Sequence, residues 1–269
     1  MGKDLLGNIE LNRIYQMDCL EGMKLIPDKS VDMILCDLPY GQTRLSWDSK
    51  LPLDKLWYEY KRIIKDNGAI VLTAQQPFTS MLITSNLGMF KYELIWQKTR
   101  SPSFAHAKFK PMSLHENIIV FSKSASTYTK DESKRMKYYP QMEEGEEYTI
   151  SKKATGRVAG NATIQNHENW EGKTNSGRYP KSIRVVSNPS KGIIHPTQKP
   201  VELFEWLIKT YTIEQEIILD NCIGSGTTAV ACILNNRKWI GFETEPKYIE
   251  LANKRLEQIQ IEDDLKAYK

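Results

Sequence analysis

An α/β fold carrying a doubly wound, mainly parallel sheet is predicted by three features of this 269-residue chain. Short apolar runs alternate with segments of helical period, as strands do with crossover helices. Two of those runs, Val31–Cys36 and Ile217–Leu219, each end in a carboxylate followed by a turn, at Asp37 and Asp220. The alternation lapses once, between Ser124 and Ser190, where Lys, Asn, Gly, Ser, Thr and Tyr displace the aliphatic residues. So long an aperiodic stretch is either a functional insertion or disordered. The expected organisation is one α/β domain in two halves, 1–123 and 191–269, with 124–190 inserted between them.

Each element has its own warrant. Ile9–Met17 alternates enough for a short strand ending at Asp18, and Cys19–Ile26 places Leu20, Met23 and Ile26 on one helix face. Val31–Asp37 is a buried strand with Asp32 interrupting its apolar run. Leu53–Lys65 has helical spacing at Leu56, Tyr60, Ile63 and Ile64, and Asn67-Gly68 reads as its C-terminal stop. Ala69–Thr73 is a strand, Pro77–Asn86 a short helix, and Tyr92–Trp96 and Ile118–Phe121 are strands flanking a polar, basic loop. Beyond the insertion, Lys199-Pro200 leads into a helix over Val201–Tyr211. A strand (Glu216–Asp220), a helix (Thr227–Asn235), a strand (Lys238–Glu243) and a helix from near Pro246 complete the chain.

Composition excludes several classes. No apolar run nears the roughly 20 residues that span a bilayer, and no basic-then-apolar signal opens the chain. Cys19, Cys36, Cys222 and Cys232 form no Cys-x-x-Cys pair, which predicts reduced thiols and a cytoplasmic protein. Together with the scattered His106, His115, His167 and His195 they offer no metal-ligand pattern. Between Ser122 and Gly192 thirteen Lys and Arg face eight Asp and Glu, an excess of five in a chain whose total is +4. A basic segment set in a near-neutral scaffold suggests a polyanion partner.

Two turns could carry chemistry. In Asp37-Leu38-Pro39-Tyr40-Gly41 an acceptor and a flat ring stand three residues apart beyond a strand's carboxyl end, where open α/β sheets bind ligands. That suits a planar group gripped by its face and hydrogen-bonded at its edge; an ordinary strand end with a Pro-Gly turn is the plainer reading. The second turn, Asp220-Asn221-Cys222-Ile223-Gly224-Ser225-Gly226-Thr227-Thr228, joins a strand to a helix, and Glu243 ends the next strand, placed to meet ribose hydroxyls. Gly224-x-Gly226-x-x-Ala229 fits a nicotinamide or flavin fingerprint as well as an S-adenosylmethionine site. Asp220 favours the latter, because a carboxylate suits a cationic amino-acid portion and would repel a pyrophosphate.

Together these pieces resemble the β class of DNA amino-methyltransferases, which use S-adenosylmethionine. Asp37-Leu38-Pro39-Tyr40 is similar to the family's Asp-Pro-Pro-Tyr, with Leu in place of the first Pro. His195-Pro196-Thr197-Gln198-Lys199-Pro200, His115-Glu116 and Asp18 also resemble family segments. The order, with the target-base motif first, a variable basic segment second and the cofactor motif last, is that of the β class. The resemblance implies a methyltransferase-type sheet with a target-recognition insertion. It implies catalytic roles for Asp37, Leu38, Pro39 and Tyr40, and cofactor contacts from Asp18, Asp37, Thr197, Lys199, Asp220, Cys222, Gly224, Gly226, Thr227, Thr228 and Glu243. Lys134, Arg135, Arg157, Arg178 and Arg184 would meet double-stranded DNA. The implied product is S-adenosylhomocysteine, with no metal required; a homodimer and a cognate restriction endonuclease are the further partners implied.

The implied reaction needs the target base flipped out of the duplex. Tyr40 would stack on it, while Asp37 and the Leu38 carbonyl accept the amine hydrogens and free the nitrogen lone pair. Asp at the first motif position goes mainly with adenine N6 in this family, which leaves cytosine N4 as the alternative. A nicotinamide-dependent oxidoreductase built on Gly224 and Gly226 is the alternative from another class.

Overall fold

The computed structural model describes residues 4–41, 51–101, 105, 107–149, 174–189 and 198–267. The described elements run β1 (Leu5–Leu6), β2 (Ile9–Glu10), β3 (Arg13–Gln16), α1 (Cys19–Lys24), β4 (Val31–Asp37), α2 (Leu53–Ile63), β5 (Ile64–Ala74), α3 (Phe78–Ser85), β6 (Phe90–Lys98) and β7 (His115–Phe121). They continue with β8 (Glu143–Thr149), β9 (Thr174–Arg178), β10 (Ile183–Val186), α4 (Val201–Tyr211), β11 (Ile217–Asp220), α5 (Thr227–Ile233), β12 (Lys238–Glu243) and α6 (Pro246–Ala267). None of these helices is long and apolar enough to cross a membrane.

Eight strands form one sheet in the order β10-β6-β7-β5-β4-β11-β12-β3. β7 runs antiparallel to its neighbours β5 and β6, and the other adjacent pairs are parallel. Because side chains alternate across a strand, β4 feeds two cores. Met33 and Leu35 pack with α4, α5 and α6 residues such as Leu207, Ala231 and Ala252 on one face. Ile34 and Cys36 pack with Met23, Tyr60 and Leu82 of α1, α2 and α3 on the other. The predicted doubly wound, mainly parallel sheet is the fold observed.

Ile9–Met17, expected as one strand, divides into β2, which pairs with β1 in a separate two-stranded sheet, and β3, which joins the main sheet beside β12. Two further expectations change. α2 stops at Ile63 and the chain passes straight into β5, so Asn67-Gly68 lies inside a strand and does not end a helix. The glycine is there for close approach: a Cβ at Gly68 would sit 2.7 Å from the Asp32 carbonyl oxygen, where the β4–β5 register shifts. Asp32, the acid that interrupts the apolar run, is buried at this edge with its carboxylate 2.8 Å from both Lys65 and Lys137. Lys137 also pairs with Glu216, and the Ile217 amide donates to Asp32 at 3.1 Å. Burial pulls the Asp32 pKa upward, but the two lysines and that amide hold it below its ordinary value.

The second change concerns the insertion. Pro140–Lys181 separates as its own compact unit, in which β8 and β9 pair antiparallel. Residues 124–139 and 182–189, expected within the insertion, belong with the sheet. Ala125 bridges Arg135, Met136 is buried, the Tyr139 amide bonds the Thr210 carbonyl at 2.7 Å, and β10 extends the sheet beside β6.

Candidate active site

Strand direction gathers the site. β4, β5, β6 and β11 end, and the reversed β7 begins, at one edge of the sheet, so Asp37, Thr73, Lys98, Glu116 and Asp220 all arrive there. Ile34 of β4 faces Leu219 of β11 across the pair, so the two turns seen in the sequence leave neighbouring parallel strands. Such strands lie about 4.8 Å apart.

Asp37 is the hub. Its Oδ1 accepts the Tyr40 hydroxyl at 2.8 Å and the Thr73 hydroxyl, and its Oδ2 accepts Lys199 Nζ at 2.6 Å. Lys199 is 6 % exposed. Its Nζ lies 3.3 Å from Glu116 Oε2, near enough for charge attraction yet not aligned as a hydrogen bond. The other Glu116 oxygen accepts Lys98 Nζ, which also sits 4.9 Å above the Trp96 ring. Asp37, Lys199, Glu116 and Lys98 thus form a row of alternating sign with no net charge. Burial pulls the Lys199 pKa down, but Asp37 and then Glu116 raise it above the ordinary lysine value. Burial works against the Glu116 charge in the same way, and Lys199 and Lys98 hold its pKa below the ordinary value.

Tyr40 is oriented by two contacts. Its ring stacks on Phe78 with centroids 5.4 Å apart, and its hydroxyl pKa is raised well above 10, mainly by burial and then by Asp37, so it stays a donor. Pro39 is half-buried, and Leu38 is buried in the α1–α3 core, which accounts for an aliphatic residue where the family motif has proline.

At the second turn Asp220 is buried, with Oδ1 accepting the Cys222 amide at 3.1 Å and Oδ2 accepting the Thr228 hydroxyl. No Lys or Arg pairs with it among the described residues, and burial pushes its pKa up to about 7 against the pull of those two donors. Gly224 and Gly226 adopt φ of 48° and 77°, conformations that glycine takes without strain. Gly226 also abuts α6: a Cβ there would lie 3.2 Å from Ala252 Cβ. Glu243 binds the turn itself, accepting the Gly224 amide at 3.0 Å on one oxygen and the Thr244 and Glu245 amides at 2.8 and 2.9 Å on the other.

Other predicted residues fall in varied places. Asp18 is exposed and caps α1, accepting the Leu20 amide at 2.8 Å. Thr227 is buried, with its hydroxyl 3.4 Å from the Lys199 carbonyl, which ties the glycine turn to the segment that holds Asp37. Cys222 is half-buried beside the buried Asn221, whose side-chain Oδ1 accepts the Tyr60 hydroxyl at 2.5 Å. Thr197 and Arg157 lie outside the described residues. Lys134 and Arg135 pair locally with Asp131 and Glu132, and Arg178 donates to the Glu146 carbonyl at 2.7 Å within the separate unit. Arg184, expected in a DNA-reading insertion, stands on β10 with its guanidinium 5.6 Å from the Trp206 ring centroid. Sequence reasoning did not assign roles to Thr73, Phe78 or Lys98. Only Glu116 had a signal, as part of His115-Glu116.

The sheet order and the paired turns define a class, the doubly wound α/β enzymes whose ligands bind beyond adjacent strand ends. The chain belongs to the N6/N4-type DNA methylase family, whose profile, described as DNA methylase, matches residues 31–254. It is similar to the type II methyltransferase M1.MboII of Moraxella bovis, 27% identical over 94% of this chain and 99% of that one. It is also similar to the DNA adenine methyltransferase YhdJ of Escherichia coli K12, 29% identical over 92% and 83%. Among solved structures, the M1.HpyAVI–SAM complex matches with a TM-score of 0.58 and 24% identity over 91% of this chain and 99% of that one. The cytosine-N4-specific PvuII DNA methyltransferase matches at 0.62 and 16% over 92% and 89%. The protein is a DNA amino-methyltransferase of the N6-adenine/N4-cytosine type, with the methyltransferase fold expected. The oxidoreductase alternative finds no support in these relatives.

Proposed function

We propose that this enzyme moves the methyl group of S-adenosylmethionine to the N6 amine of an adenine turned out of duplex DNA. The observation that carries the reading is the adjacency of the two turns. A methyl donor seated on the turn after β11 lies beside an amine held at the turn after β4. The residues fit the cofactor, since Asp220 is a buried carboxyl with no cation partner among the described residues and lies next to a glycine turn. When bound, S-adenosylmethionine supplies an electrophilic methyl group.

The chain's own residues do the rest. Tyr40, braced by Phe78, offers a ring for the base to stack on, a contact worth about 1–3 kcal/mol. Asp37 Oδ1 already accepts two donors and Oδ2 one, so Oδ2 is the oxygen with room for an amine hydrogen. With the Leu38 carbonyl taking the second hydrogen, the nitrogen lone pair is freed toward the methyl group. Holding the two reactants in line can account for roughly 7–11 kcal/mol of the barrier. Asp220, the Gly224–Gly226 turn and Glu243 hold the cofactor, and basic residues of 124–190 bind the phosphate backbone.

Adenine is favoured by Asp37 at the first motif position and by the adenine enzyme among the relatives. Cytosine N4 is the second reading, favoured by the cytosine-N4-specific structure of the same fold. Incubation of unmethylated genomic DNA with labelled S-adenosylmethionine, then nucleoside mass spectrometry, decides between N6-methyladenine and N4-methylcytosine. Asp37→Ala is expected to lose transfer by about 10²–10³-fold while still binding S-adenosylmethionine. Full activity in that variant would refute the assignment.

A further inference from the structure

We propose that Glu116 and Lys98 are positioning residues for methyl transfer, giving Lys199 a second seat so that Asp37 Oδ2 can receive the substrate amine. The inference deepens the proposed amine-methyltransferase reading and rests on it. Lys199 Nζ lies 2.6 Å from Asp37 and 3.3 Å from Glu116, one ammonium between two carboxylates. It is hydrogen-bonded to the first at 2.6 Å and held less closely by the second at 3.3 Å, whose Oε2 is buried and meets no well-aligned donor among the described residues. Glu116 therefore keeps acceptor capacity in reserve beside Lys199.

An amine hydrogen arriving at Asp37 Oδ2 competes with Lys199 for lone pairs. If Lys199 had no other partner, yielding would strand a buried cation, at a cost that grows with desolvation. Glu116 removes that cost, because a shift of a fraction of an ångström converts its ion pair with Lys199 into a hydrogen bond. Lys98 fixes the other Glu116 oxygen, which keeps Oε2 turned toward Lys199. The Lys199 carbonyl accepts the Thr227 hydroxyl at 3.4 Å, so the proposed exchange needs only the side chain to shift. Lys98 and Glu116 sit at the ends of β6 and β7, three and two strands away from β4 respectively. They act on the amine through Lys199, without a placement that requires contact with the base.

Buried ion pairs are seldom retained for stability alone, which makes the rate the property to measure. Wild type, Glu116→Gln, Lys98→Met, Lys98→Arg and Glu116→Gln/Lys98→Met would be compared in single-turnover methylation of unmethylated genomic DNA. S-adenosylmethionine affinity and melting temperature would be followed in parallel. Glu116→Gln and Lys98→Met are each expected to slow transfer by about 10-fold or more with cofactor affinity within about 2-fold, a transition-state and not a binding loss. The double variant should be no slower than Glu116→Gln by more than about 2-fold, because Lys98 acts through Glu116. Lys98→Arg should restore the rate. Wild-type rates in folded Glu116→Gln, a loss wholly explained by weaker cofactor binding, or additive losses in the double variant would each overturn the inference. Should Glu116→Gln and Lys98→Met fail to fold, Glu116→Asp decides: it keeps the charge but shortens the reach, so a wild-type rate overturns the inference and a slow one supports it. A wild type that transfers no methyl group refutes the functional reading itself, whereas an active wild type with unimpaired variants refutes only this inference.

Discussion

Replacing Asp220 with Asn should stabilise the cofactor-free enzyme at alkaline pH and destabilise it by about 1 kcal/mol in acid. The buried carboxyl is pushed up to about 7 from 3.8 because burial opposes its charge and no cation among the described residues answers it. About three pKa units at 1.36 kcal/mol each put the cost of ionising it near 4 kcal/mol above pH 8. The sign follows from linkage: the folded state binds this proton more tightly than the unfolded state. Its contribution is therefore complete below pH ~4 and lost as pH rises toward 7. In Asp220→Asn the amide oxygen can keep the Cys222 N–H, while the Thr228 hydroxyl turns from donor to acceptor. That rearrangement costs about 1 kcal/mol, which leaves a gain near 2–3 kcal/mol. Urea unfolding of the two apoproteins at pH 4.5 and 8.5 reads it directly. In wild type, S-adenosylmethionine affinity should rise from pH 5.5 to about 7 and then level, because a cationic ligand needs the ionised carboxylate. Calorimetry in buffers of different ionisation enthalpy should show proton release below that pH. A variant no more stable than wild type at pH 8.5, or a cofactor affinity flat across this range, would refute the reasoning.

Thr73→Val keeps the volume of a buried residue but removes one of the two hydroxyl donors on Asp37 Oδ1; transfer should fall about 10-fold with cofactor affinity unchanged in equilibrium binding. Lys137→Met removes a cation from buried Asp32 and from Glu216, and should cost about 2–3 kcal/mol in urea unfolding, below the 3–5 of a fully buried pair. Because the Asp32 pKa is depressed, its contribution is present above the ordinary carboxylate range and is lost as pH falls through it. The gap between Lys137→Met and wild type should thus close in strong acid. DNA binding should weaken steeply as salt rises from 50 to 200 mM, as counterion release requires; a flat response in a filter-binding titration would remove the DNA assignment of the basic segment.

Local signals in the sequence were sufficient wherever a single stretch decides its own structure. β4, α4 and β12 run over the residues that periodicity marks, and the Asp37–Tyr40 hydrogen bond lies within one turn. The misread element was Asn67-Gly68, where one dipeptide has two physical uses. A glycine ends helices through positive φ, but it also lets two backbones touch, and only the register of β4 on β5 tells them apart. The same distance in sequence hid half of the site. Thr73, Lys98 and Glu116 gather around Asp37 and Lys199 because four strands end or begin at one edge, and neither Thr73 nor Lys98 sits in a stretch whose pattern differs from ordinary strand ends. Lys199 was legible as a member of a motif but not in its task, since a lysine near a glycine turn suits a cofactor as well as it suits Asp37.

The flanks of Pro140–Lys181 are secured to the sheet largely through backbone groups: the Lys137 amide to the Asn67 carbonyl, the Tyr139 amide to Thr210, and β10 laddered along β6. Main-chain bonds of this kind are indifferent to which side chains lie between them. The intervening forty-two residues can accordingly diverge, lengthen or be exchanged for another module without altering the register that sets Asp37 beside Asp220. Such an architecture leaves the sheet's chemistry independent of that unit, and a chimaera joined at residues 140 and 181 would be the natural unit for an engineer to trade.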